Sequence, residues 1–281
     1  MKRKETKTGV AFAFAACLGL AIGCGETGKA RVDATVFIAE KTAAAEKGDA
    51  KAALALGVFC EGRAGDMPKA LEWYRKAAEL GDSFAAMWLA LLYENGEKVE
   101  RNSEEAFRWA LRAAELGDRR GAAWVGKAYL NGSGVEENET EGRRWLRRAD
   151  ELGDGDAAYL LGICYWNGDG VAKDEAEANR LFRKAVERTG DGALSKLGLA
   201  RCYANGWGVE KDQAKAVELY REAANAGDEI AAVEFAYCCE IGAYVPKDVE
   251  KAREYYRKGA TSESETVRTA AQQGLERLGA L

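Results

Sequence analysis

Residues 158–171 read AYLLGICYWNGDGV, and the second half of that phrase returns along the chain. Tyr165-Trp166-Asn167-Gly168 has counterparts in Tyr93-Glu94-Asn95-Gly96, Tyr129-Leu130-Asn131-Gly132 and Tyr203-Ala204-Asn205-Gly206. The four glycines are spaced by 36, 36 and 38 residues. Gly-Asp dipeptides keep the same period, at 48–49, 81–82, 117–118, 153–154, 190–191 and 227–228. A fixed period of this length marks one supersecondary unit, copied and stacked, and chain length then sets the number of copies.

Each unit reads as two helices. Gly142, Trp145, Leu146 and Ala149 fall at i, i+3, i+4 and i+7, one face of an α-helix. The same face recurs as Ala70-Trp73-Tyr74-Ala77, Ala106-Trp109-Ala110-Ala113 and Ala178-Leu181-Phe182-Ala185. Small residues at its ends allow close helix approach, and the bulky pair fills the gap between. Gly126 and Gly162 lie inside first helices at a cost of roughly 1 kcal/mol each against Ala, which close crossing explains. The Asn-Gly pairs suit helix C-termini, where positive φ is wanted. Asp174 and Asp212 are placed to cap second helices. The chain has only 2 Pro, so nothing interrupts these helices.

The phrases at 158–171 and 70–82 (ALEWYRKAAELGD) resemble Sel1-like repeats, relatives of tetratricopeptide repeats. The resemblance covers about residues 49–260 and implies an all-α fold, a right-handed α-solenoid of about six helix-turn-helix repeats. It also implies an adaptor or scaffold that binds a protein or peptide along a concave groove lined by first helices. Carried onto this chain, the inward positions are Trp88, Glu94, Trp124, Lys127, Tyr159, Trp166, Arg201, Glu234, Tyr237 and Glu240. Aromatic anchors mixed with a few charges suit a peptide groove; packing between repeats is the other use for the Trp rings. Trp207 sits at a variable loop position where other units have Glu97, Ser133 and Asp169, and is either a contact residue or a ring tucked against the next loop. Asp33 to Lys47 and Thr266 to Leu278 read as capping helices, so residues 33–281 form the repeat domain. The first unit has a shortened loop at 61–66, and the fifth has two extra residues before Tyr203.

The N-terminus reads as an export signal. Residues 1–9 are basic, 10–23 apolar and uncharged, and Leu20-Ala21-Ile22-Gly23-Cys24 resembles a bacterial lipobox. The apolar run is 14 residues, short of the ~20 a spanning helix needs. The expectation is a lipoprotein signal peptide at 1–23, lipidation at Cys24, a flexible linker at 24–32, and a periplasm-facing place in the cell envelope, at the outer membrane, or secretion. Cys17 is a rival acceptor.

Composition excludes several functions. Histidine is absent, which removes most zinc sites and Ser-His-Asp chemistry. Net charge is −5, the first nine residues hold a local +3, and the remainder stands at −8. An acidic body disfavours nucleic acid, and leaves the membrane to the lipid anchor alone. Some Sel1-like proteins are labelled β-lactamases, but Ser-x-x-Lys and Ser-Asp-Asn are missing, and the one Lys-Thr-Gly (7–9) is in the leader. No catalytic residue, metal or cofactor is expected. A weak hydrolase of that type and a peptidoglycan- or glycan-binding module stay open as alternatives. The cysteines beyond Cys24 read as buried thiols, and the Arg-Lys pairs of the second helices as a solvated outer face.

Overall fold

The computed structural model describes residues 34–190 and 192–279. The expected leader, Cys24 and the linker lie outside the described residues, as does Asp191. Among the described residues every regular element is helical. Helix α1 (Ala34–Glu46) leads and α14 (Glu265–Arg277) closes. Between them run six pairs: α2 (Ala50–Phe59) and α3 (Met67–Glu79), α4 (Ser83–Asn95) and α5 (Ser103–Glu115), α6 (Arg119–Asn131) and α7 (Glu139–Glu151), α8 (Gly155–Asn167) and α9 (Glu175–Thr189), α10 (Ala193–Asn205) and α11 (Gln213–Asn225), α12 (Glu229–Ile241) and α13 (Val249–Gly259).

The chain divides into two compact units. The first runs to Gly121 and includes Ser133–Val135; the second holds Ala122–Gly132 and everything from Glu136. In the first, α1 through α5 each pack on the next helix in sequence. In the second, α7 through α14 do the same, and first helix α8 also touches first helix α10. This neighbour-on-neighbour packing is what a stack of repeats produces.

The two periodic dipeptides have distinct jobs. The Asp of Gly-Asp caps the next first helix: Asp49, Asp82, Asp154 and Asp228 each accept the N–H three residues on. Asn102, Asn138, Asp174, Asp212 and Asp248 do the same for second helices. Each cap is worth about 1 kcal/mol. The Gly of Asn-Gly takes the left-handed conformation that ends the first helix, as at Gly168 with φ 84°.

The extra residues of the fifth unit lie before Tyr203, at the junction with the preceding repeat. Helix α9 is 15 residues long and ends at Gly190, and Gly192 stands at the N-cap of α10 without a side-chain cap. Helix α10 keeps the common 13 residues up to Asn205-Gly206. The insertion is absorbed before α10 begins, and Arg201 stays in register with Lys127 and Tyr237, each five residues before its Asn-Gly or Ile-Gly glycine.

The bulky pair on second helices is unequal in the first three repeats. Trp73, Trp109 and Trp145 are only partly buried, whereas Tyr74, Ala110 and Leu146 are buried. In the first, third and fourth repeats the second member of the pair meets a glycine of the partner helix. A Cβ on Gly57 would lie 2.5 Å from the Tyr74 ring, on Gly126 2.7 Å from Leu146, and on Gly162 2.7 Å from Phe182. Close crossing is thus why these helical glycines persist. In three of the basic pairs of the second helices the first arginine ties repeats together besides facing water. Arg75 donates to the Tyr93 hydroxyl at 2.6 Å, Arg147 to that of Tyr165 at 3.3 Å, and Arg183 lies 5.8 Å from the Tyr203 ring centroid.

At the C-terminal end, Glu240 accepts from Tyr256 Oη at 2.6 Å and from Arg277 through two bonds of 3.0 and 2.9 Å. Arg277 holds the Glu240 carboxyl below the ordinary carboxylate range. A lowered folded pKa stabilises above the unfolded value, near 4.3, and that contribution is lost as pH falls through the folded value. Arg277 is half-exposed and screened by solvent, so the pair contributes about 1 kcal/mol. Glu240→Gln is therefore expected to lower the melting temperature at pH 7, and the gap from wild type to shrink as pH falls below the ordinary glutamate value of about 4.3 in thermal scans.

Candidate functional site

Eight of the ten expected groove residues fall in the second unit, and two, Trp88 and Glu94, in the first. In the first unit both are engaged within the fold. The shortened loop is a π-helical turn, Cys60–Ala64, continuing from α2. It carries Glu61 between its own second helix and the next repeat, where Oε2 accepts from Tyr74 Oη of α3 at 2.5 Å and from Trp88 Nε1 of α4 at 3.2 Å. Lys98 pairs with the other carboxylate oxygen. Burial and the adjacent Glu61 push the Tyr74 hydroxyl far above its ordinary pKa. Glu94 pairs with Arg101 at 3.0 Å.

The second unit is more open. Trp124 is partly buried and Lys127 exposed on α6. Tyr159 and Trp166, nearly two turns apart on α8, are partly buried, as is Arg201 on the adjoining α10. Trp166 meets Trp207 with centroids 4.9 Å apart and planes at 42°. The Arg201 guanidinium lies 5.8 Å from the Trp166 centroid. Tyr159 leans on Phe182 at 5.7 Å. The α10 loop sets Trp207 in place, its N–H donating to Cys202 O at 3.0 Å.

Trp207 was ambiguous in sequence; it stacks on the ring one repeat earlier. The signal for this contact was an aromatic at a loop position that is otherwise polar. Burial raises the Tyr159 hydroxyl and pushes Tyr220 up to about 12, with the Arg201 charge offsetting part of both shifts. On α12, Glu234 and Tyr237 are exposed, and Glu240 is committed to Arg277 and Tyr256 as above. Tyr237, Ile241 and Tyr244 are 49%, 52% and 65% exposed, a run of large apolar side chains through the end of α12 and its loop.

The cysteines among the described residues are free, and burial is the first cause raising the thiols of Cys164, Cys202, Cys238 and Cys239. None has the electropositive setting of a reactive thiolate. Among the described residues, no helix is long and apolar enough to cross a membrane.

None of the curated proteins matches the chain. Two solved structures are similar over most of it. The protective antigen c5321, present in uropathogenic Escherichia coli strains and displaying an SLR fold, is 28% identical with a TM-score of 0.73. That match covers 98% of this chain and 65% of the antigen, so the chain spans about two thirds of that protein's length. A Sel1 repeat protein from Oxalobacter formigenes is 28% identical with a TM-score of 0.67, covering 83% of this chain and 94% of the other. The Sel1 repeat model matches six times, at residues 50–82, 83–118, 120–154, 155–189, 192–228 and 230–264. Those boundaries coincide with the hairpins described above, and the chain belongs to the Sel1 repeat family, an α-solenoid of helix pairs.

Proposed function

We propose that this protein is a lipid-anchored scaffold of the bacterial cell envelope that holds a protein or peptide segment on the first-helix face of its second unit. One observation carries the binding reading: Trp166 on α8, Arg201 on α10 and Trp207 on the loop after α10 form a partly exposed cluster, with the partly exposed Tyr159 further back on α8 and the exposed Glu234 and Tyr237 on α12. Aromatic rings with a guanidinium among them are the composition of interface hot spots. The Sel1 repeat fold is commonly a protein-interaction scaffold. The envelope reading rests on the basic head, apolar core and Leu-Ala-Ile-Gly-Cys at 20–24. A relative described as a protective antigen accords with it.

Two measurements test the two halves. Palmitate labelling of the full chain in a Gram-negative host is expected, and is expected to vanish with Cys24→Ser; equal labelling of both would end the anchor. For binding, immobilised full chain is exposed to a random peptide array and, in parallel, to purified cell wall. Trp166→Ala is expected to weaken captured peptides by about thirtyfold or more while the helical signal persists. Capture of wall glycan alone would favour a glycan-binding module, and unchanged capture would assign Trp166 to packing.

A further inference from the structure

Arg201 is the charged group of the aromatic cluster that the fold leaves unsatisfied. Its guanidinium makes no ion pair or hydrogen bond among the described residues; its backbone oxygen accepts from Asn205 Nδ2 at 2.9 Å, and its ring contact is with Trp166. Several other cations of the second unit are engaged by the fold. Lys184 and Arg188 close on the buried Asp150, and the buried Arg143 donates to Asp169 O at 3.0 Å. Asp228, whose charge is felt together with that of Arg201, is buried and occupied, accepting from Ala231 N at 2.7 Å to cap α12. Glu234 shares the neighbourhood of Tyr220 with Arg201 but stays exposed and makes no ion pair with it. Arg201 is partly exposed, and with no carboxylate of the fold bonded to it the guanidinium is open to a carboxylate from outside.

We infer that Arg201 receives a carboxylate of the bound segment, from an acidic residue that neighbours an aromatic or aliphatic side chain resting on Trp166 and Trp207. This rests on the peptide-binding reading above. The guanidinium lies 5.8 Å from the Trp166 ring and carries no carboxylate of the fold, so it can take one in the two-bond arrangement that a point charge cannot match. The rings lower the local dielectric, so the bond is stronger there than in open water. The adjacent Trp–Trp pair supplies the apolar subsite. Because the chain as a whole is acidic, attraction to a carboxylate comes from this local guanidinium and not from the overall field.

The test uses the full chain on arrays of randomised acetylated octapeptides, one set amidated at the C-terminus and one with a free C-terminal carboxylate. Wild type is expected to enrich Asp or Glu over Asn or Gln about tenfold at one position beside an apolar residue. Arg201→Gln is expected to keep the apolar preference and lose the acidic one, and Arg201→Lys to keep part of it. Enrichment confined to the free-carboxylate set would identify a chain end as the source of the same chemistry. Peptide capture that depends on Trp166 but shows no acidic preference, or an acidic preference equal in Arg201→Gln, overturns the carboxylate assignment and leaves peptide binding standing. No peptide capture by any form overturns both.

Discussion

Replacing Phe182 by Ala is expected to cost about 3 to 5 kcal/mol, the range for deleting a fully buried aromatic ring. Phe182 is 1% exposed and sits between two first helices. Its ring faces Gly162 on α8 and Gly198 on α10, whose added Cβ atoms would lie 2.7 and 3.0 Å away. Two glycines and one phenylalanine from three helices thus make a single contact that neither neighbouring repeat can make alone. The lost ring leaves a cavity which glycine surfaces cannot refill. The pair also predicts a reversal of sign. Gly162→Ala in the native background forces the ring aside and destabilises, by roughly 1 to 3 kcal/mol. In the Phe182→Ala background the same methyl enters empty space and recovers some stability, helped by the better helix propensity of Ala. Urea unfolding of the four proteins measures this cycle, and additive losses would refute the shared contact.

Gly208→Ala is expected to be nearly as damaging. Gly208 has φ +61°, and a Cβ there would meet Glu175 O at 2.3 Å and Ala176 Cα at 2.4 Å. The loop of the fifth repeat lies on the start of α9, backbone against backbone, so no side chain can swing away to make room. Left-handed strain of about 1 to 2 kcal/mol and an overpacking term of about 1 to 3 kcal/mol both apply. Gly134 is in the same position on Ser103, with its hypothetical Cβ 2.0 Å from Ser103 O. The last repeat breaks the rule: Tyr244 holds this place with φ 58° and a side chain 65% exposed. Tyr244→Gly is accordingly expected to leave stability within about 1 kcal/mol of wild type, where Gly208→Ala does not, and paired thermal melts distinguish the two.

These contrasts show what the primary structure could and could not announce. The hairpin boundaries were legible because every repeat marks them with the same residues: Asn-Gly ends a first helix, and an Asp or Asn whose side chain reaches an N–H begins each helix. Burial within a hairpin was legible from the i, i+3, i+4, i+7 face. The polar ties were not, because they join residues about one period apart and a single repeat gives no hint of them. Lys98 to Glu61 and Arg277 to Glu240 both span 37 residues, and Arg188 to Asp150 spans 38. Searching for opposite charges one period apart would have found these three. Trp88 shows the consequence. It shares its repeat position with Trp124, yet its indole N–H is bonded to Glu61 from a π turn that replaces the ordinary loop. Only the coordinates of that turn separate a ring held by the fold from one that is open to a ligand.

The most direct test of recognition by the first-helix face is photocrosslinking in the native cell. A photoreactive phenylalanine analogue is placed at Tyr237 or Lys127, both exposed on first helices, and at Arg144, exposed on second helix α7, as the control. Mass spectrometry of the adducts is expected to find one protein from the first-helix positions, absent from the control and lost when Trp166 is also changed to Ala. Adducts that are the same from both faces, or indifferent to Trp166, would contradict the account.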